Sequence, residues 1–192
     1  VSSHQFDTAD RGFSLRFEGD LDMRMNQQSD ESAADWLNTA SESEMKEVFQ
    51  NYGELRNAGA IAFALADYRK EKKFKLISDL KKALERFTPH KTPHKFLAKV
   101  FQAIRIRIND EMAALEALLK QSVDVLETGG RIAVISYHSL EDRLVKNFFK
   151  SGNFLGEIEK DFYGNPLVPF KLVNRKPIIP TEEEIQVNNR AR

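Results

Sequence analysis

The sequence predicts an α/β chain in which a mostly helical, charge-polarised part precedes an α/β part. Three observations carry that class. Apolar residues recur every three to four positions through most of residues 32–126, the repeat of one helix face. Gly129 and Gly130 then break the pattern, and residues 131–137 (RIAVISY) form a β-branched apolar run of strand length. Ser139 and Asp142 follow as a helix start. Helix, glycine break, apolar strand and capped helix in that order are the punctuation of a unit with a parallel strand.

Residues 1–31 lack a sustained period and carry Gly12, Gly19 and scattered Asp, Ser and Asn, so they are expected to form a long ordered loop, a feature usually tied to function. Ser32 opens the first helix, with Ala33, Ala34, Trp36 and Leu37 behind it. Ser41 and Glu44 are spaced as a capping box ahead of Met45, Val48 and Phe49, and Gly53 stops that helix. Further helices are expected at 54–71, on the stripe Leu55, Ala58, Ala62, Leu65 and Ala66, and at 76–87, on Ile77, Leu80, Leu84 and Phe87. Pro89 and Pro93 bracket a breaker. From Phe96 to Leu126 one long helix is expected, then the strand at 131–137 and a helix from Ser139 to Lys150. Residues 157–173 suggest a two-stranded excursion around Gly164 and Asn165, residues 176–179 a further strand, and Thr181 with Glu184 one last capped helix. A lone strand leaves its backbone groups unpaired, so partner strands are expected upstream of Val1.

Composition narrows the function classes. With 192 residues, 41% apolar, 14 Phe, 6 Pro and 9 Gly, the chain has the greasy surface to build a core and too little Pro and Gly for a linker or fibre. Its apolar runs are only a few residues long, well short of a membrane span, and no signal peptide opens it. The count of 0 Cys removes disulfides, zinc-thiolate sites and cysteine nucleophiles from these residues, so a cytoplasmic location is expected. The four His are scattered, with only His90 and His94 close together, and no metal site is expected. The net charge of zero conceals a strong polarity: residues 1–54 carry 4 Lys/Arg and 12 Asp/Glu, residues 69–107 carry 13 Lys/Arg and 3 Asp/Glu. Such a basic block attracts phosphate, although a solvated helical face has the same composition.

Several pieces of the chain, in order, carry a family resemblance: Val1-Ser-Ser-His-Gln-Phe-Asp7, Arg11-Gly-Phe-Ser14, Leu21-Asp-Met-Arg-Met25, Ser32-Ala-Ala-Asp-Trp-Leu37, Phe101-Gln-Ala-Ile-Arg-Ile106, Gly129-Gly-Arg131, His138-Ser-Leu-Glu-Asp-Arg143, Lys176-Pro-Ile-Ile-Pro180 and Asn189-Arg-Ala-Arg192. Together they resemble the ribosomal RNA small-subunit methyltransferase H family, S-adenosylmethionine-dependent enzymes that methylate N4 of a cytidine in 16S rRNA. The family commonly has Pro at the positions of His4 and Asp20 and Arg at that of Lys99. Its glycine-rich cofactor loop would precede Val1, and the chain reads as a fragment.

The resemblance implies the C-terminal part of a Rossmann-like class I methyltransferase with a mostly helical inserted domain. Residues 1–20 become a methyltransferase-domain loop after a central strand, 21–95 the helical insertion and RNA-binding candidate, and 96–192 the rest of the methyltransferase domain. It implies that Gln5 contacts S-adenosylmethionine and that Ser2, Ser3 and His4 lie near the target base. The N4 amine shares its lone pair with the ring, so the enzyme must accept its hydrogens and align it with the methyl group. Arg24, Lys72, Lys73, Lys91 and Lys95 are candidates for RNA phosphate, with an Asp22–Arg24 turn ion pair as the alternative role for Arg24.

His138 and Ser139 stand at the expected carboxyl end of a strand, where open α/β sheets place their chemistry. His138 could accept the proton that methyl transfer releases, or be a hydrogen-bonded structural residue; Ser139 is expected to be the helix N-cap. The partners expected are 16S rRNA and the small ribosomal subunit. Two other readings use the same features: a noncatalytic RNA-binding module gripping rRNA through 69–107, and a helical scaffold for a protein partner, including self-association as a homodimer through open sheet edges. Residues 1–192 by themselves are expected to bind S-adenosylmethionine weakly or not at all and to transfer no methyl group. Titration calorimetry checks this, and micromolar cofactor binding would refute it.

Overall fold

A computed structural model describes residues 2–174, 176–188 and 191. Of the pieces quoted above, Val1, Asn189, Arg190 and Arg192 lie outside the described residues. The chain divides into two compact units, Val1–Glu111 and Met112–Arg192.

The first unit is a helical cluster. A short helix α1 (Ser3–Asp7) and a 3-10 turn at Ala9–Arg11 lie within the segment expected to be loop throughout. Then come α2 (Ala33–Thr39), α3 (Glu42–Asn51), α4 (Ala58–Glu71), α5 (Ile77–Ala83) and α6 (Pro93–Asn109). Ser32 caps α2 reciprocally with Asp35, as its position predicts. At α3 the expected box is half made. Ser41 Oγ accepts from the Glu44 N–H, but the Glu44 carboxylate turns inward to Trp36 Nε1 at 2.7 Å and Arg107 Nη2 at 3.2 Å. A buried indole N–H needs an acceptor more than an exposed cap needs its second bond. Trp36, Leu37, Met45, Phe49, Ile61, Leu65, Ile77, Leu80, Leu84 and Ile104 fill the core with almost no exposure.

Four boundaries differ from the sequence reading. The helix expected at 76–87 ends at Ala83, and Glu85–Phe87 closes it as a 3-10 turn. The helix expected from residue 54 starts at Ala58, because Glu54 sits in the left-handed region at φ 49°. Pro93 opens α6 instead of ending a breaker, since a missing N–H costs nothing at the first helical position. The long helix expected through Leu126 stops at Asn109. Asp110, at φ 47°, interrupts it, and α7 (Glu111–Val125) follows. Asn and Asp are the residues that tolerate this conformation with least cost, and Arg105 spans the break by binding Glu111 through Nε at 2.7 Å and Nη2 at 3.0 Å.

In the second unit α7 and α8 (Ser139–Ser151) bury Leu119, Val145 and Phe148, with Phe154 stacked on Phe148 at 5.0 Å and Phe170 edge-on at 6.2 Å. A short α9 (Glu182–Val187) is capped by Thr181 Oγ1, which accepts from the Glu184 N–H as predicted. The strand expected at 131–137 does not form. Burial nonetheless alternates along the segment, with Ile132, Val134 and Ser136 half-buried and Ile135 and Tyr137 exposed at 80% and 77%. The period of two is present, but a ladder needs a second strand, and none forms among the described residues. The excursion at 157–173 reduces to one antiparallel bridge, Lys160 with Pro166, and residues 176–179 form no strand. Regular structure among the described residues is therefore helical, and the expected sheet is absent from them.

One acid anchors the first unit. Asp79, 3% exposed, receives the N–H groups of Lys75 and Leu76 and the Lys72 ammonium at 2.5 Å. Burial pushes its carboxyl upward, but the bonds from Lys72, Leu76 and Lys75 outweigh that and hold it below the ordinary carboxylate value. A depressed folded pKa stabilises above the unfolded value of about 3.9, and that stability disappears as pH falls through the folded value. Asp79→Asn is therefore expected to lower the melting temperature above pH ~4 and to converge on wild type as pH falls through the depressed folded value. A difference that stayed constant across a series of melts over this range would refute the linkage.

Candidate functional site

The segment 8–31 owes its shape to being threaded into the helical core. Its Leu21 N–H donates to Lys75 O at 2.9 Å, and Ile77 N–H donates to Gly19 O at 3.0 Å. The carbonyls of Asp22 and Leu21 accept the N–H groups of Ala33 and Ala34, two orphan donors at the start of α2. Gly12 is required where two passes of this loop cross: at φ 71°, a Cβ there would lie 2.6 Å from Asp20 O. Met23, also left-handed at φ 60°, is fully buried. Asn109, at the end of α6, holds the turn from the far side. Its Oδ1 accepts from Met25 N at 2.6 Å, and its Nδ2 donates to Met23 O and Arg105 O, both at 2.8 Å.

Within this frame Asp22 and Arg24 form the ion pair expected of them, with Nε to Oδ1 at 2.6 Å and Nη2 to Oδ2 at 3.2 Å. Arg24 Nη1 donates to Ser29 O at 2.6 Å. The bond to Asp22 raises the guanidinium further above its ordinary value. This arrangement makes Arg24 a fastener of the turn and leaves little of its fork for a ligand.

Ser2 and Gln5 are brought together in α1. Ser2 Oγ accepts from the Gln5 N–H at 3.3 Å and Gln5 Oε1 accepts from the Ser2 N–H at 2.9 Å, a reciprocal cap. Ser2, Ser3 and His4 are exposed, and the His4 carbonyl takes the N–H and hydroxyl of Thr8. The spacing of Ser2 and Gln5 matches a capping box, the local signal for this helix within a segment otherwise without a period.

The basic block sorts into two groups. Arg69 donates to the Leu37 and Ala40 carbonyls near the end of α2, Lys72 holds Asp79, Lys81 pairs with Glu18 at 2.7 Å, and Arg105 and Arg107 bind Glu111 and Glu44. These cations build the fold. Hydrogen bonding to Asp79 raises the Lys72 ammonium above its ordinary value. Lys73, just past the end of α4, and Lys91, Lys95 and Lys99, before and along the first turns of α6, are exposed. His94 lies inside α6 and not in the loop expected around Pro93.

In the second unit His138, 9% exposed, is the N-cap of α8 in place of Ser139: its Nδ1 accepts from the Glu141 N–H at 3.4 Å, while Glu141 Oε2 accepts from Tyr137 N at 2.8 Å. Ser139 is displaced to the first helical residue because the chain enters the helix one position earlier than its hydroxyl suggests.

Comparison with known proteins gives the family. The MraW methylase family matches residues 1–192. The chain belongs to the MraW methylase family. Relatives named ribosomal RNA small subunit methyltransferase H align with all 192 residues: the Flavobacterium psychrophilum protein is 53% identical, that of Parabacteroides distasonis 52% and that of Amoebophilus asiaticus 53%. The chain spans 66%, 63% and 62% of those proteins' respective lengths. Two features lie outside the residues singled out from sequence, Arg11 and Asn109. Arg11 lies in the quoted Arg-Gly-Phe-Ser piece. Asn109-Asp110, a polar pair inside an apolar period, was the readable signal for the helix break.

Proposed function

We propose that this MraW methylase chain is part of a class I, S-adenosylmethionine-dependent enzyme that methylates N4 of a cytidine in 16S rRNA of the small ribosomal subunit, in the cytoplasm. The observation that carries the reading is the match of the whole chain, at about half identity, to proteins named as ribosomal RNA small subunit methyltransferases. On this reading residues 1–20 and 96–192 belong to a Rossmann-like methyltransferase domain and 21–95 to a helical insertion that meets RNA. The segment 131–137, with its alternating burial, fits a strand whose ladder partners come from the rest of the protein.

Gln5 is assigned to the cofactor, and Ser2, Ser3 and His4 to the surroundings of the target amine. For Gln5 to reach a ligand, its Oε1 would exchange the Ser2 N–H for it, a change within one turn of exposed backbone. The family implies a methyl donor, S-adenosylmethionine, which supplies an electrophilic methyl group for in-line displacement. The chain's own part is to orient the amine, exclude water and accept protons. His138 is the candidate acceptor: it caps α8 through Nδ1, so its ring is held in one orientation.

The test uses the full-length protein that contains these residues. Small-subunit rRNA incubated with it and isotopically labelled S-adenosylmethionine is digested to nucleosides and analysed by mass spectrometry. N4-methylcytidine is the expected product; 5-methylcytidine, or no labelled cytidine, refutes the proposal. His138→Asn retains a side-chain acceptor for the cap and removes the imidazole, so a lower turnover with unchanged cofactor affinity is expected of it. Exposed lysines are assigned to phosphate. Replacing Lys73, Lys91 and Lys95 with Ala is expected to flatten the salt dependence of RNA binding by roughly 0.7–0.9 log units per lost contact. Lys72→Ala is expected to change that slope less, because its ammonium is held by Asp79. An unchanged slope in the triple variant would return the block to a solvated face.

A further inference from the structure

Arg11 makes no ion pair among the described residues. Its Nη2 donates to the carbonyls of Arg24 at 2.7 Å and Met25 at 3.2 Å, and its guanidinium lies over the Phe13 ring, 5.9 Å from the centroid. Its Nε is buried and makes no hydrogen bond. Among the described residues no carboxylate forms an ion pair with it. The other half-buried arginines of the unit differ: Arg24, Arg105 and Arg107 each hold carboxylates, and Arg69 binds carbonyls near the end of α2, where the helix dipole is negative. A half-buried charge left unpaired is costly, and it persists when something outside the fold completes it.

The geometry points to an anionic ligand. One nitrogen of the fork is occupied by two backbone carbonyls and one face by a ring, so the guanidinium is fixed in place before any ligand arrives. What remains is the Nη1 edge. A planar, permanently charged fork fixed in this way suits a phosphate oxygen, and partial burial strengthens the contact relative to one in bulk water. Phe13 is also in edge-on contact with Phe6, at 6.4 Å and 72°, so the ring beneath Arg11 packs against α1.

We propose that Arg11 binds a phosphodiester oxygen of the RNA strand that α1 meets, an assignment that rests on the reading of the chain as part of an rRNA methyltransferase. The same carbonyls make Arg11 a tie between the start of the loop and the Asp22–Arg24 turn. Phosphate binding there would therefore tighten the turn as well as hold the strand.

The first test uses residues 1–192 and inorganic phosphate as probe, with melting temperature as readout, against chloride at matched ionic strength. Phosphate is expected to raise the melting temperature of wild type, to raise that of Arg11→Lys less, and to leave that of Arg11→Ala unmoved relative to chloride. Any intrinsic loss of stability in Arg11→Ala is common to both salts and cancels. Equal phosphate stabilisation of wild type and Arg11→Ala, or none in either, overturns the site whether or not the full-length protein methylates RNA. The second test uses the full-length protein with single-stranded rRNA oligonucleotides and, separately, S-adenosylmethionine. Arg11→Ala is expected to reduce the salt slope of RNA binding by about 0.7 log units, one single-strand phosphate contact, with cofactor affinity unchanged. A loss of cofactor affinity with an unchanged RNA slope would assign the anion to the cofactor's carboxylate and overturn the RNA assignment.

Discussion

Trp36→Ala is expected to cost the first unit about 3–5 kcal/mol, the range for removing a large aromatic from a packed core. Trp36 is 1% exposed and is the largest side chain in that core. It meets Phe49 edge-on at 6.2 Å, donates its Nε1 hydrogen to Glu44 at 2.7 Å and lies 5.9 Å beneath the Arg107 guanidinium. Truncation therefore opens a cavity and releases Glu44 and Arg107 from their shared partner. Trp36→Phe keeps much of the packing and loses the donor along with some volume, so about 1 kcal/mol beyond the volume change is expected from the hydrogen bond. Urea unfolding of residues 1–192 measures both variants. A Trp36→Ala midpoint within experimental error of wild type would mean that the indole is not part of the cooperative core.

Asn109→Leu is expected to cost roughly 3 kcal/mol although it preserves side-chain bulk. The amide satisfies Met25 N, Met23 O and Arg105 O, and each group left buried without a partner costs about 1–3 kcal/mol. Asn109→Asp keeps an acceptor for Met25 N and loses the donor to Met23 O, so an intermediate loss is expected. The change should also be local. With its brace gone, the turn 21–25 should open to protease before the rest of the unit does, a difference that limited proteolysis followed by mass spectrometry detects. Uniform cleavage across the unit would show instead that Asn109 supports the whole helix cluster.

Helices with an apolar stripe and a capping residue were readable from the sequence because both signals are local. Ser32 ahead of α2, Thr181 with Glu184 and the stripes of α3, α4 and α5 formed close to the places their spacing indicated. The family resemblance was legible for a different reason: its pieces are short, ordered along the chain and rich in residues such as Gly12, whose need for a left-handed backbone admits few substitutes.

Contacts between distant residues decided the rest. Glu44 had the spacing of a capping-box residue and went to Trp36 and Arg107, because a buried donor outcompetes an exposed one. His138 displaced Ser139 as the cap of α8, and Asp110 cut the long helix where Asn109 reaches back to residues more than eighty positions away. Nothing in the run 69–107 distinguishes Lys72, fixed by Asp79, from exposed Lys73 beside it; only folding brings the carboxylate to one and not the other. The strand at 131–137 has its alternation written in the sequence and no ladder, since alternation determines which faces a strand would have, whereas hydrogen bonding requires a second strand. Sequence alone thus determined the family, the helical stripes and the polarity of charge. Which cations stay exposed, which acid receives the N–H groups of Lys75 and Leu76 and which carbonyls hold Arg11 were decided by tertiary structure, because each depends on groups that approach only after the chain has folded.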